Sequence, residues 1–426
     1  METELIEDVK TVFVSGGPPT VSYVSRKALE SALLCIINTN RIISVTGQTK
    51  SGKTVLTSSF FKKLNPITVS CGDLTIRSTE DFWKTLHSLC RTPVSSESSI
   101  KTNTVEAKAG INLSWKGVVQ ASGSGDINQQ NVTKETVSPT PEDYKASVLA
   151  HLRKNMPKGY LIIDDFHYLE EKIKSDIVHG FKSLIFDGFN LVLVAIPHRD
   201  DDVVHLSKEM IGRLEKVRVN QWSVEELKEI AIKGFSRYNI EISDEALSNM
   251  ADEAYGTPHL MQDFCLKLSI RKIIDNSFAK GTIIYPSKKE LHTIYHQVAE
   301  SIGTPILSQI SQGGREGRRK KYRLKNGQQG DVYDLTIMAL CNMENDKTKI
   351  SFARIYEGVK NQVSEMPPNQ SQITNVLKRF ANVATADNAA NPIFDYDEKN
   401  HCIYISNPFL LFFLKWGNFG KERSLN

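Results

Sequence analysis

The sequence predicts an α/β chain: a parallel sheet covered by helices on both faces, followed by an all-helical stretch and a small module of helices and a hairpin. Three observations predict it. Strand-like and helix-like stretches alternate from about Phe13 to Asn220. Helical spacing then dominates from Ser223 to Asp275. Beyond a glycine-rich, basic break, three helical stretches precede two short strand-like ones.

In the first region the strand candidates are residues 41–46, 67–70, 159–163 and 191–196, each mostly apolar or β-branched, as suits strands buried on both faces. Between them, Ser78 opens a helical stretch that runs to Cys90. Thr140 is a capping residue with Pro141 at the first helical position. One segment, about 92–139, breaks the rhythm and is rich in Ser, Thr, Gly and Asn. Its alternating Val105, Ala107, Ala109, Ile111, Leu113 and Trp115 read as half of a β-hairpin inserted into the core. A poorly ordered excursion accounts for the same composition.

Ser223 and Glu226 have capping-box spacing ahead of Leu227, Ile230 and Phe235. Ser243 starts a second helix that Gly256 stops, and Thr257–Pro258 begins a third. The expected organisation is an α/β core over 1–222, a helical lid over 223–310, a basic linker over 311–330 and a terminal module over 331–426.

At 426 residues the chain exceeds one hydrophobic core. With 40% apolar and 24% charged residues it is not globally disordered, and a net charge of +4 says little about partners. No apolar run is long enough to span a bilayer, and the acidic start shows no signal-peptide pattern. Six cysteines without CxxC spacing read as small buried hydrophobes in a reducing compartment. The expectation is a cytoplasmic protein with no membrane partner.

Gly47, Gln48, Thr49, Lys50, Ser51, Gly52, Lys53 and Thr54 match the phosphate-binding pattern G-x-x-x-x-G-K-[ST] in full. An apolar strand precedes it and a helical stretch follows, which is the context the pattern requires. Glycines let the backbone curl so that its N–H groups and the helix N-terminus face phosphate. Lys53 would neutralise β/γ-phosphate charge and Thr54 would ligate Mg²⁺. Downstream, Tyr160-Leu161-Ile162-Ile163-Asp164-Asp165 is a buried strand that delivers two carboxylates to the edge of the sheet. Asp164 suits the Mg²⁺ shell, and Asp165 stands where a general base would orient water. Aspartate at 165 is one methylene shorter than glutamate, so the expected ATP hydrolysis is slow.

With these motifs placed, the chain resembles the AAA+ ATPases of the origin-recognition group. It is most similar to the bacterial and archaeal relatives that grade into STAND-type switch ATPases, over nearly all of residues 12–417. The resemblance implies a P-loop AAA+ core, a helical lid and a C-terminal winged helix-turn-helix. Val12 to Pro19 and Tyr23 to Arg26 resemble the family linker that encloses adenine, which makes Val12 and Arg26 candidate contacts, although Ser25 replaces the usual glycine. Arg213, in Ile211-Gly212-Arg213-Leu214, resembles the arginine that reaches a γ-phosphate across a subunit boundary; a surface ion-pairing arginine reads the same. Gly256-Thr257-Pro258-His259 looks like the glycine-x-proline lid motif of STAND ATPases, so Pro258 or His259 would touch base or phosphates, or simply begin a helix. After the fourth strand, His198 stands near the usual sensor position, where Ala195-Ile196-Pro197 departs from the family's short polar residue.

For partners, the resemblance implies self-association through the core. Residues 315–325 carry seven basic side chains against Glu316, enough to attract duplex DNA without reading sequence. The wing candidate, Phe394 to Asn400, is acidic, and the aromatic run from Phe409 to Trp416 resembles the tails of winged helices that pack on their own lid. Both favour a protein partner at the winged helix, and the insertion is a separate candidate surface for assembly or a partner. Three functions stay open: an ATP-driven switch, a DNA-loading or transposition-regulating ATPase, and a nucleotide-holding structural subunit that never hydrolyses.

Overall fold

The computed structural model describes residues 2–37, 42–73, 75–90, 140–196, 213–311, 320–343, 349–386, 394–405 and 407–417. The expected hairpin at 105–115, His198 and Arg315 to Arg319 lie outside the described residues.

Chain order begins with α1 (Glu2–Val12) and α2 (Lys27–Ile36), then β1 (Ile42–Gly47), α3 (Lys53–Phe61), β2 (Ile67–Ser70) and α4 (Thr79–Cys90). The core continues through α5 (Pro141–Asn155), β3 (Tyr160–Asp164), α6 (Glu171–Phe186), β4 (Asn190–Ala195) and β5 (Leu214–Val219). These strands form one five-stranded sheet in the order β2-β3-β4-β1-β5, and every pairing is parallel. Alternation within the strands explains why both faces are covered. Leu161, Ile163, Leu191 and Leu193 face a layer built on α4, α5 and α6. Tyr160, Ile162, Val192 and Val194 face the opposite layer, with Leu33 of α2 and Leu56 and Phe61 of α3. Thr140 caps α5 as its sequence predicts, and Asp143 returns the bond, completing a capping box.

The second body comprises α7 (Val224–Ser236), β6 (Glu241–Ile242), α8 (Asp244–Glu253), α9 (Pro258–Ile274), β7 (Ile283–Ile284) and α10 (Lys288–Ser311). Ser223 and Glu226 form the expected capping box of α7. The N-terminal segment, expected with the α/β core, packs here instead. Val12 and Phe13 are buried in the core of this helical body, and Tyr238 donates a hydrogen bond to Asp8 at 2.8 Å.

The third body contains β8 (Tyr322–Arg323), β9 (Gln329–Gly330), α11 (Val332–Cys341), β10 (Lys349–Ser351), α12 (Phe352–Gln362), α13 (Gln370–Ala386), β11 (Phe394–Asp397), β12 (Cys402–Ile405) and α14 (Pro408–Trp416). β10, β12 and β11 make a three-stranded antiparallel sheet beside the helices. Residues 322–330, read from sequence as linker, form a hairpin whose Tyr322 and Leu324 are buried in this body's core.

α14 belongs to two cores. Phe409, Phe412, Phe413 and Trp416 are buried with the helical body, whereas Leu410, Leu411 and Leu414 are buried with the third body. A nine-residue helix can do this because apolar residues occupy all of its faces except at Lys415. Lys415 and the Trp416 indole both bond Glu253 of α8, at 2.6 and 2.7 Å. Among the described residues no helix is long and apolar enough to cross a membrane.

Candidate nucleotide site

A cleft of about 670 Å³ opens where the sheet edge meets the helical body, a size suited to a nucleotide. Its core-side wall is the loop after β1 and the turn after β3. Thr49, Lys50, Gly52, Lys53, Thr54 and Asp165 line it. Gly47 ends β1, and Ser51 is buried behind the wall. Gly52 takes φ +88°, a left-handed conformation that lets the loop turn into the N-terminus of α3.

Lys53 is 8% exposed, and its ammonium donates to the carbonyls of Gly47 and Gln48 at 2.9 and 2.8 Å. Burial lowers its pKa to about 8, against the opposing pull of Asp165 and Asp164. Asp164 is buried and Asp165 faces the cleft. The two are held together by a bond from the Asp165 N–H to Asp164 Oδ1 at 3.0 Å. Burial and the neighbouring Asp164 raise the Asp165 pKa, while Lys53 and Lys50 oppose the rise. Asp165 also sits at φ 56°, ψ 35°, a left-handed backbone that aspartate tolerates better than most residues.

The residues present fit a magnesium-bound triphosphate. Helix α3 points its N-terminus into the cleft, and the buried Ser51 hydroxyl has no protein partner. Thr54 and Asp164 offer the oxygen donors a hard cation takes, with phosphate and water completing its shell.

The opposite wall is assembled from distant segments. Val14 to Pro19, Tyr23 and Val24 supply one part, and Ile230, Pro258, His259 and Gln262 another. Val12, a candidate contact from sequence, does not line the cleft; its side chain is buried in the helical core and its carbonyl accepts a bond from Ser22. Arg26 does line it, but the guanidinium is held by protein groups: Glu226 at 3.0 and 3.2 Å and the Asn220 carbonyl at 2.9 Å, with Trp222 at 5.1 Å. Pro258 and His259 are both in the wall. Burial, with Lys50 adding to it, lowers the His259 pKa to about 4, so the imidazole is neutral near pH 7. Arg213 is not part of the cleft; its guanidinium lies 3.9 Å from the centre of the Phe186 ring.

Several cleft residues escaped the sequence reading. Trp222 donates its indole N–H to the Ser51 carbonyl at 2.8 Å, and Gln221 donates to Gln48 Oε1 at 2.7 Å. The start of the helical body is thereby hydrogen-bonded to the loop after β1. Trp222 stands immediately before a capping box, the one local signal that marks it. Gln262, paired with Ser22, carried none. Asn407 also lines the cleft, at the N-cap of α14, and beside it Phe409 meets Lys50 at 5.6 Å and His259 at 5.0 Å.

The sheet order, the loop after β1 and the paired acids after β3 define the class: an α/β P-loop fold of the AAA+ type, like that of origin-recognition-like ATPases. Solved structures of similar fold cover most of the chain. A Walker-type ATPase of Pyrococcus abyssi matches with a TM-score of 0.53 at 12% identity, covering 92% of this chain and 96% of that one. The ORC2 protein of Aeropyrum pernix, solved in ADPNP–ADP complexes, matches with a TM-score of 0.50 at 12% identity over 95% and 96%. At that identity the likeness establishes the fold alone. No protein-family model matches the sequence, and no curated protein does.

Proposed function

We propose that the chain is an ATP-binding, slowly hydrolysing switch whose nucleotide state is passed to the third body through α14. One observation carries this reading. Lys50 of the phosphate-binding loop and His259 of the helical body meet on the same ring, Phe409, at the start of the helix that joins the second and third bodies. A nucleotide that moves Lys50 or His259 changes what α14 packs against. Nucleotide shifts the equilibrium only by its differential affinity for the two arrangements.

In the hydrolytic step, Lys53 turns from its own loop carbonyls to the β/γ-phosphates. Asp165 takes a proton from the attacking water as the water oxygen bonds the γ-phosphorus and the bridging oxygen leaves with ADP. Thr54 and Asp164 would hold Mg²⁺, which supplies charge neutralisation on the phosphates. Arg213 stands outside this cleft, as a residue serving a neighbouring copy would, and self-association through the core belongs to the proposal. Three helices with a three-stranded sheet support the winged helix-turn-helix reading of the third body. There Lys378 of α13 pairs with Glu398 of the turn between β11 and β12 at 2.8 Å, which neutralises a basic residue that a DNA-reading helix would present. A protein partner fits this face better.

A second reading, a duplex-binding loader, is favoured by Lys320, Arg323 and Lys325, all exposed on or beside the β8–β9 hairpin. ATP hydrolysis measured with and without duplex DNA, at low and moderate salt, separates the two. Slow hydrolysis that Lys53→Ala abolishes and DNA leaves unchanged supports the switch. Stimulation by DNA that fades with salt supports the loader. No Lys53-dependent hydrolysis under any condition overturns the enzymatic part of both.

A further inference from the structure

Asp165 carries the proposed base on a side chain one methylene shorter than glutamate, so its setting must be exact to within a fraction of an ångström. Two features place its backbone: the left-handed conformation at φ 56° and the bond from its N–H to Asp164 Oδ1. A third feature lies on the neighbouring strand. β2 pairs with β3 up to Ser70 opposite Asp164, and the Cys71 N–H extends that ladder to the Asp164 carbonyl at 3.0 Å. The ladder holds the next residue, Gly72, against the Asp165 side chain.

A Cβ placed on Gly72 would stand 2.6 Å from Asp165 Oδ2, 3.4 Å from its Cγ and 3.7 Å from its Cβ, and these are its three nearest neighbours. The backbone of Gly72 is not left-handed, so clearance is what asks for glycine here. We infer that Gly72 is a positioning residue for hydrolysis: its missing side chain leaves the gap in which the Asp165 carboxylate stands. This rests on the hydrolytic reading of Asp165 given above.

The atom in the way is the end of a short side chain, not backbone. An alanine at 72 can be absorbed by rotating the carboxylate aside, with the strands unmoved. The fold tolerates that rotation and the chemistry does not, since a misplacement of about 1 Å costs on the order of a hundredfold in rate. None of the three nearest atoms belongs to Lys53 or Thr54, so nucleotide binding is spared.

The test is Gly72→Ala in the full chain, assayed with Mg·ATP. Expected are a kcat lowered roughly tenfold or more, KM and nucleotide affinity within about twofold, and an unchanged melting temperature. In an Asp165→Asn background the same substitution is expected to have no further effect, because the group it displaces no longer acts as a base. Wild-type kcat in Gly72→Ala, or an equal loss in both backgrounds, overturns the inference. A crystal structure of Gly72→Ala reads the same point without turnover. A displaced Asp165 carboxylate between unmoved β2 and β3 supports the clearance role even if the wild type proves not to hydrolyse ATP, and an unmoved carboxylate refutes it.

Discussion

The two walls of the cleft are made differently. The core-side wall comes from short segments that follow buried strands: residues between Thr49 and Ser58 after β1, Asp165 to Tyr168 after β3, and Ile196 after β4. The helical-side wall draws on residues near 14–26, 222–230, 258–262 and 407, brought together by packing. The backbone of the first wall is anchored to the parallel sheet, and its Lys50 and Lys53 side chains are the parts that can move. The second is joined to the first by side-chain bonds, Trp222 to Ser51 and Gln221 to Gln48, and by the Phe409 ring. Chemistry is therefore assigned to the rigid wall and response to the assembled one, because a few side-chain contacts shift at far lower cost than a buried sheet.

The largest test of this division is Lys53→Ala. Loss of a buried charge–phosphate contact worth about 3 kcal/mol predicts nucleotide binding weakened on the order of a hundredfold, measured by calorimetric titration. Unchanged affinity would remove the rigid wall from the account. A smaller effect follows from the lowered Lys53 pKa. The cationic form meets phosphate; it is full well below pH 8 and lost as pH rises through about 8. Nucleotide affinity is accordingly expected to fall about tenfold between pH 7 and pH 9, and a flat profile would show that Lys53 keeps its proton.

On the assembled wall, Phe409→Leu keeps most of the volume but removes the ring shared by Lys50 and His259. A cation–π contact is worth about 0.5–1 kcal/mol, so nucleotide affinity should change only a few-fold. The sharper expectation is that α14 ceases to respond to nucleotide, which would appear as loss of any nucleotide-induced change in amide hydrogen exchange at residues 408–416. Retention of that change would place the coupling elsewhere. The smallest effect is on stability: Ser223→Ala removes the capping hydroxyl of α7 and should cost about 1 kcal/mol in denaturant unfolding, with kcat unaltered.

The same contrast governs what the sequence made legible. Four of the five core strands, β1 to β4, are apolar runs bounded by turns, and their observed ends fall close to the predicted places; β5, with Glu215, Lys216 and Arg218 among its six residues, is no apolar run and is not among the strands the sequence predicts. The loop after β1 and the two aspartates at the end of β3 are readable because each matches a pattern of fixed residues at fixed spacing beside an apolar strand. The assembled wall obeys no such spacing. Nothing near Gln262 foretells Ser22, 240 positions away, and nothing near Asn407 foretells the cleft it lines. Val12 differs from its sequence expectation for a physical reason: it ends α1 and is buried in the helical body, so the cleft lining begins at Val14. The segment 322–330 reads as linker in sequence because glycine and basic residues mask a two-residue ladder pinned by Tyr322 and Leu324.

The central claim is that nucleotide at the rigid wall is felt by α14. Amide hydrogen exchange of the full chain, with and without Mg·ATP and with Lys53→Ala as control, tests it most directly. The account predicts nucleotide-dependent changes both at residues 49–57 and at 408–416, and neither in the Lys53→Ala protein. Changes confined to 49–57 would contradict it, leaving an ATP site with no route to the third body.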